Sequence, residues 1–242
     1  MKSILITLGQ VLLTFFLYLV GSILMGVSLF PGLLFIQRIW SEAAALTLVG
    51  RMLMLSLAVS LAYFIYGVTL IVIVGILRII LRLNLKEGEY RLPSLGLLKW
   101  YIVNSLFYIV SITFMDFILL TPLASLFYRF MGAKVGRNVQ INSKFGADLS
   151  LLEIDDGAVI GGHATVICHS FERNRLILKK VKIGKRAIIG LNSVILPGCE
   201  VGEGALVAAG AVVGRNTKIE PHDVYFGVPA HSAKQRNEQK EA

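Results

Sequence analysis

The chain has 242 residues, of which 55% are hydrophobic and 16% charged, with a mean hydropathy of +0.72, a balance that excludes an ordinary soluble globular domain. The formal net charge is +9, but much of it flanks apolar stretches, where it suits an anionic membrane surface, and no basic segment interleaved with aromatics points to a nucleic acid. Two cysteines, Cys168 and Cys199, make no disulfide framework and fit a reducing compartment.

Ile4 to Phe30 is an uninterrupted apolar run, longer than the roughly 20 residues needed to cross a bilayer. A cleaved signal peptide would be shorter and would end in a small-residue site. Met52 to Leu77 is a second run of spanning length. Both are expected to be transmembrane helices. A third stretch, Leu97 to Phe127, contains Asn104, Asp116 and Pro122. Arg78, Arg82, Lys86, Arg91 and Lys99 lie on one side of it and Arg129, Lys134 and Arg137 on the other. Cytoplasmic flanks collect Lys and Arg, so two basic flanks favour a re-entrant or interfacial hairpin, broken near Asp116 and Pro122, over a single third crossing. The expectation for residues 1–130 is thus a multi-pass α-helical membrane region, with the N-terminus and everything beyond 130 on the cytoplasmic side. Asp116, acidic within an apolar segment, is a functional candidate and equally suits a helix cap at the interface.

From Ile183 the chain reads IGKRAI, IGLNSV, ILPGCE, VGEGAL, VAAGAV, VGRNTK and IEPHDV. The first places are Ile183, Ile189, Ile195, Val201, Val207, Val213 and Ile219; the fifth places, from Ala187 to Thr217, are small. A strict period of six serves neither an α-helix nor a flat amphipathic strand and predicts a solenoid of short parallel strands, a triangular prism with three hexads per coil. Gly184, Gly190, Gly202 and Gly214 follow the aliphatic residue where the backbone turns a corner, a place that suits glycine's freedom in φ. The same phase appears earlier at Val135, Ile141, Ile154, Ile160 and Val166, so an all-β domain is expected over 131–231, followed by a polar tail over 232–242. Two segments break the phase, a short insertion around 146–152 and a polar stretch from Ser170 to about Lys180. Loops on a rigid scaffold are where function tends to sit.

These hexads, the His169 turn followed by a loop and VKIG, and the ending Gly227-Val228-Pro229-Ala230 resemble the hexapeptide-repeat acyltransferases of the left-handed parallel β-helix class, the galactoside and maltose acetyltransferases in particular. The resemblance implies an enzyme in which His169 acts as general base, taking the proton of an acceptor hydroxyl or amine as it attacks an acyl thioester; imidazole suits that task near neutral pH. It further implies a substrate-binding Asn142, and acetyl-CoA or another acyl-CoA as donor, with no permanently bound cofactor. That donor would lie in a groove lined by Gly190, Ala208 and Ala209, with Arg215 at its phosphate and Pro229 near its adenine. It also implies a homotrimer with the site between subunits. Glu153, Asp155 and Asp156 are candidates to orient His169 or meet an acceptor amine, or are solvated turn carboxylates. His163 reads as structural or site-lining, His222 as an exposed corner and His231 as a tail residue. The spacing of the four histidines does not suit a three-histidine zinc site, and no metal is expected. Cys168 adjoins His169, but neighbours in a strand face opposite ways, so it reads as packing.

The stretch TPLASLFYRFMGAKVG is similar to the membrane-to-prism junction in the terminal region of poly-lysine-synthetase-type peptide synthetases, which act on carrier-bound thioesters. The leading expectation is a membrane-anchored acyltransferase with a lipid-linked or envelope-associated acceptor, since a diffusible acceptor needs no anchor. An amide-forming module using carrier-protein aminoacyl thioesters and a non-catalytic trimerising scaffold are the alternatives.

Overall fold

The computed structural model of the chain describes residues 2–233, so the expected polar tail lies, from residue 234 on, outside the described residues. Compactness divides the chain between Leu77 and Arg78. The first unit is built on two long apolar helices, α1 (Lys2–Glu42) and α2 (Leu48–Ile80), joined through a 3-10 turn at Ala43–Ala45. They meet where side chains are small. A Cβ on Gly32 would stand 3.0 Å from the Ala62 carbonyl oxygen, the close backbone approach that small residues permit. Nearer the turn, the Arg51 guanidinium sits 3.9 Å from the Trp40 ring centroid, within cation–π range.

The second unit holds α3 (Leu95–Thr113), α4 (Met115–Ile118), α5 (Pro122–Phe130) and every strand of the prism. Ser94 starts α3 by accepting the Leu97 amide on its hydroxyl at 3.2 Å, satisfying one of the free donors of the first turn. Trp100, Asn104, Phe107 and Ser111 fall at helical spacing on one face, and that face meets the prism: Ser111 Oγ donates to the Lys144 carbonyl at 3.1 Å. The helical path breaks at Phe114, and again before Pro122, which opens α5 at the position where its missing N–H costs nothing. Phe107 stacks on Phe127 of α5 at 5.7 Å, and the Tyr128 hydroxyl donates to the Ser143 carbonyl at 3.1 Å. Asp116 forms an ion pair with Lys144 at 2.5 Å.

The prism is three parallel sheets. Ile189 lies beside Ile160 and Val207, Ile195 beside Val166 and Val213, and Val201 beside Ile183 and Ile219, so one first-place residue per face fills each level of the interior. All are at most 3% exposed, and Ala187, Ser193, Cys199, Ala205 and Ala211 beside them are completely buried. A narrow interior admits only small residues at those fifth places, because close packing leaves no void for more.

The hexad corners correct the reading of the glycines. The left-handed turn falls on the fourth place, where Arg186, Asn192, Gly198, Gly204, Gly210, Asn216 and His222 have φ between 54° and 82°. The second-place glycines answer instead to space. A Cβ on Gly184, Gly190 or Gly202 would meet backbone of the next coil at 2.7, 2.6 and 2.6 Å, whereas Gly214 has nothing nearer than Thr217 Oγ1 at 3.6 Å.

Outward, the faces differ. Gln140, Val159, Ile188, Leu206 and Val224 align across one sheet, a mostly apolar row. Lys134, Glu153, Lys182, Glu200 and Lys218 align across another, where the Lys134–Glu153 and Lys182–Glu200 pairs close at 2.8 Å. At the far end His231–Ser232 pairs antiparallel with Val224–Phe226, and Ser232 Oγ donates to Asp223 Oδ2 at 2.7 Å. His231 is therefore a strand residue and not a tail residue, and the ordered chain continues past the expected start of the tail.

Candidate active site

Both interruptions of the hexad phase fall on one corner of the prism. The longer one is a β-hairpin: His169–Glu172 pairs with Arg175–Leu178, and Lys179 donates its amide to the Cys168 carbonyl at 2.8 Å where the chain re-enters the coil. A third strand, Gly88–Arg91, adds antiparallel to the hairpin's outer edge and removes one exposed edge. The Glu87 carboxylate fixes it by accepting the Lys180 amide at 2.9 Å.

The shorter interruption carries Asp148, in the left-handed conformation (φ 59°, ψ 38°) before a 3-10 turn at Leu149–Leu151. Its side chain is fully buried. Oδ2 accepts the Cys168 amide at 3.2 Å and faces His169 Nδ1 at 2.6 Å. Oδ1 accepts Trp100 Nε1 at 2.6 Å and Asn104 Nδ2 at 3.0 Å, both from α3. Asn104 closes the loop by accepting the Asp148 amide on its own Oδ1 at 3.1 Å. An ionised carboxylate is acceptor only, so facing it His169 Nδ1 is the donor, and in the neutral ring that tautomer leaves the lone pair on Nε2. The Trp100 ring stands edge-on to His169 at 4.9 Å, and Phe171 stands 5.8 Å from it on the hairpin. The His169 side chain retains 19% of its surface. The arrangement can do what a base needs: one ring nitrogen is held by a buried acceptor, and the other remains an acceptor.

Two of the three carboxylates named from sequence as possible partners of His169, Glu153 and Asp156, are engaged elsewhere. Glu153 pairs with Lys134, whose hydrogen bond holds its carboxyl below the usual range, and Asp156 Oδ1 accepts the Arg137 amide at 2.6 Å. The partner that sequence reasoning missed is Asp148. Cys168 is buried, and burial, reinforced by the nearby Asp148 charge, pushes its thiol well up, which disfavours the nucleophilic thiolate.

The remaining predicted residues divide between two corners. Arg215 shares the His169 corner, ion-paired with Glu172. It lines an open depression of ≈ 540 Å³ with Ser170, Lys179, Pro197 and Asn216. Lys179 Nζ reaches Asn216 Oδ1 at 2.7 Å there. A different corner holds Asn142, Gly190, Ala208, Ala209 and Pro229. Gly190 is covered by the backbone of Ala208 and Ala209, and the Asn142 amide lies beside Gly162. The Gly227–Ala230 turn closes this corner, with Ala230 donating to the Val212 carbonyl at 2.8 Å. His163, at φ 55°, sits there too, 5.6 Å from the Phe145 ring, while His222 takes the left-handed place of the third corner. Among the described residues no group of three His, Cys, Asp or Glu side chains is placed to hold a metal ion.

Residues 180–215 match the family model described as bacterial transferase hexapeptide (six repeats), so the hexads of the prism are those of that repeat. The chain is 25% identical over 179 residues to a Delta-poly-L-ornithine synthetase of Acinetobacter baumannii (strain AB307-0294), covering 72% of this chain and 13% of that protein. It is 49% identical over 55 residues to a 2,3,4,5-tetrahydropyridine-2,6-dicarboxylate N-acetyltransferase of Enterococcus faecalis (strain ATCC 700802 / V583), covering 23% of each. Among solved structures, a galactoside acetyltransferase in complex with coenzyme A shares 18% identity and a TM-score of 0.46, over 64% of this chain and 90% of that one. The chain spans between 13% and 53% of the length of the curated relatives it matches.

Proposed function

We propose that this chain, whose prism carries the bacterial transferase hexapeptide repeat, is a membrane-anchored acyltransferase of the left-handed β-helix type. It moves an acetyl or related acyl group from coenzyme A to a hydroxyl or amine. The observation that carries the reading is the 2.6 Å contact of His169 Nδ1 with the buried Asp148 carboxylate, which leaves Nε2 as the base. The acceptor oxygen or nitrogen bonds to the thioester carbonyl carbon while its proton passes to His169 Nε2. The carbon–sulfur bond then breaks and His169 returns the proton to the departing thiolate. A base so placed contributes about 10²–10⁴ in rate. The transfer is direct, since the neighbouring thiol of Cys168 is buried and disfavoured as a thiolate.

His169 and Arg215 occupy one corner, and the small residues that suit a pantetheine groove occupy another, so a homotrimer that sets one chain's first corner against the next chain's second would complete the site. The apolar row of Val159, Ile188, Leu206 and Val224 supports such an interface. Arg215 and Lys179 would meet the donor's phosphates, Arg215 exchanging Glu172 for a bidentate grip.

Helices α1 and α2 would cross the membrane with the prism on the cytoplasmic side. In support, their apolar segments run 39 and 33 residues with hydropathies of 2.2 and 2.4. Helix α3, at 19 residues and 1.5, is tied along its length to the prism. Its other face exposes Leu98, Tyr101, Tyr108 and Ile112, which suits an interfacial helix. The acceptor would therefore be membrane-delivered, since fixing the site at the interface raises its effective concentration.

Calorimetric titration of the detergent-purified chain with acetyl-coenzyme A tests the donor. Saturable binding weakened by Arg215→Ala is expected, and no binding would reject coenzyme A. The match to the Delta-poly-L-ornithine synthetase extends over 179 residues, more than the prism contains, and favours a second reading with a carrier-protein thioester as donor.

A further inference from the structure

We propose that Trp100 and Asn104 of α3 are positioning residues for His169, acting through Asp148, so that the base is complete only while this apolar helix is docked on the prism. The proposal rests on His169 as the base of the reading above, but its geometry stands apart from any substrate.

The two oxygens of Asp148 are divided between two structural elements. The prism and its hairpin serve Oδ2 alone, through the Cys168 amide and His169 Nδ1. Both donors to Oδ1 come from α3. A buried carboxylate oxygen without donors is costly, so without α3 the carboxylate has reason to rotate or relax toward solvent and release the imidazole. Asn104 does more than donate. Its Oδ1 accepts the amide of Asp148 itself, which fixes the orientation of the side-chain amide and pins the left-handed turn from which the carboxylate projects. Its Nδ2 also reaches the Trp100 carbonyl at 3.0 Å, locking it to its own helix. Trp100 adds a ring contact to His169 at 4.9 Å and another to Phe171 at 5.3 Å, so one side chain both holds the carboxylate and walls the imidazole.

The sequence supports the same division of labour. A polar Asn within an apolar helix is expensive in lipid and is retained here on the face turned to the prism, in the stripe that runs from Trp100 to Ser111. The opposite face carries Tyr101, Tyr108 and Ile112. Inner and outer faces of one helix thus join the base to the apolar surroundings of the chain.

The test uses the full chain in detergent, labelled with ¹⁵N-histidine, and reads ring tautomers by long-range proton–nitrogen correlation. His169→Ala assigns the His169 signals, and His163, His222 and His231 report whether each variant is folded. In the parent, His169 is expected as the Nδ1–H tautomer with a downfield, slowly exchanging Nδ1 proton. Asn104→Ala, and Trp100→Phe, which keeps an aromatic ring but removes the N–H donor, are expected to lose that slow proton and to mix the two tautomers, with the other three histidines unchanged. If Asn104→Ala does not fold, Trp100→Phe alone decides. His169 unchanged in the folded variants would overturn the proposal. A parent that shows the expected tautomer yet transfers no acyl group would reject the functional reading and leave the positioning role standing.

Discussion

Two corners of the same prism differ in kind. The His169 corner is irregular: it carries both breaks in the hexad phase, the hairpin, the buried Asp148 and the cations Arg215 and Lys179. The corner of Asn142, Gly190, Ala208 and Ala209, which also holds His163 and Pro229, is regular, its spacing set by a backbone approach of 2.6 Å at Gly190. One offers acid–base and charge chemistry; the other offers a narrow wall along which an extended ligand can lie. In the proposed site the two corners are brought together from two copies of the chain.

The largest expected effect comes from removing the chemistry of the first corner. His169→Ala should lower the turnover rate by about 10²–10⁴ while leaving donor affinity within a few-fold, and Asp148→Asn should act the same way, because an amide can present a donor to Nδ1 and favour the wrong tautomer. Steady-state kinetics that separate kcat from KM check both. Next, mixing chains should sharpen the contrast. Ala209 is exposed, so Ala209→Phe should obstruct the regular corner without unfolding it. Random co-assembly of His169→Ala chains with Ala209→Phe chains should recover roughly a quarter of parental activity if each site draws on two subunits. Additive residual activity would show that each chain works alone.

A third prediction concerns the outward faces. Ile188→Asp, in the apolar row, should shift the assembly toward monomer by light scattering in detergent, whereas Lys182→Gln, in the ion-paired row, should not, since exposed pairs contribute only about 0–1 kcal/mol. The smallest effect is expected at Glu153. Its carboxyl is held low by the hydrogen bond from Lys134, so its stabilisation is present above the ordinary carboxylate range and is lost as pH falls through the lowered value. Glu153→Gln should therefore cost under about 1 kcal/mol at neutral pH, and the difference should vanish in acid when thermal unfolding is compared across pH.

The interior of the prism was legible because its constraint is periodic: an aliphatic first place and a small fifth place are what a narrow stacked coil demands, and the chain supplies seven such first places, Ile183 to Ile219, and six such fifth places, Ala187 to Thr217. The reason for the second-place glycines was not legible, since a requirement for space and one for φ leave the same residue in the sequence. His169 stood out by its place before a phase break. Asp148 did not, although it lies in the other break, because its significance depends on Asn104 and Trp100, 44 and 48 residues away in the chain, in a helix that composition alone assigns to the membrane. Hydropathy sums over a helix; it does not record that one stripe is polar in the right places. The strand at His231 is not legible for a similar reason, as its pairing with Phe226 has no periodic signal.

The central claim is that His169, held by Asp148, is the base of acyl transfer to a membrane-borne acceptor. Its most direct test is the transfer of radiolabel from [¹⁴C]acetyl-coenzyme A into the lipid fraction of native membranes containing the full chain, compared with His169→Ala at equal abundance. The account predicts time-dependent labelling by the parent and a loss of about 10²-fold or more in the variant; equal labelling by both, or none by the parent, would contradict it.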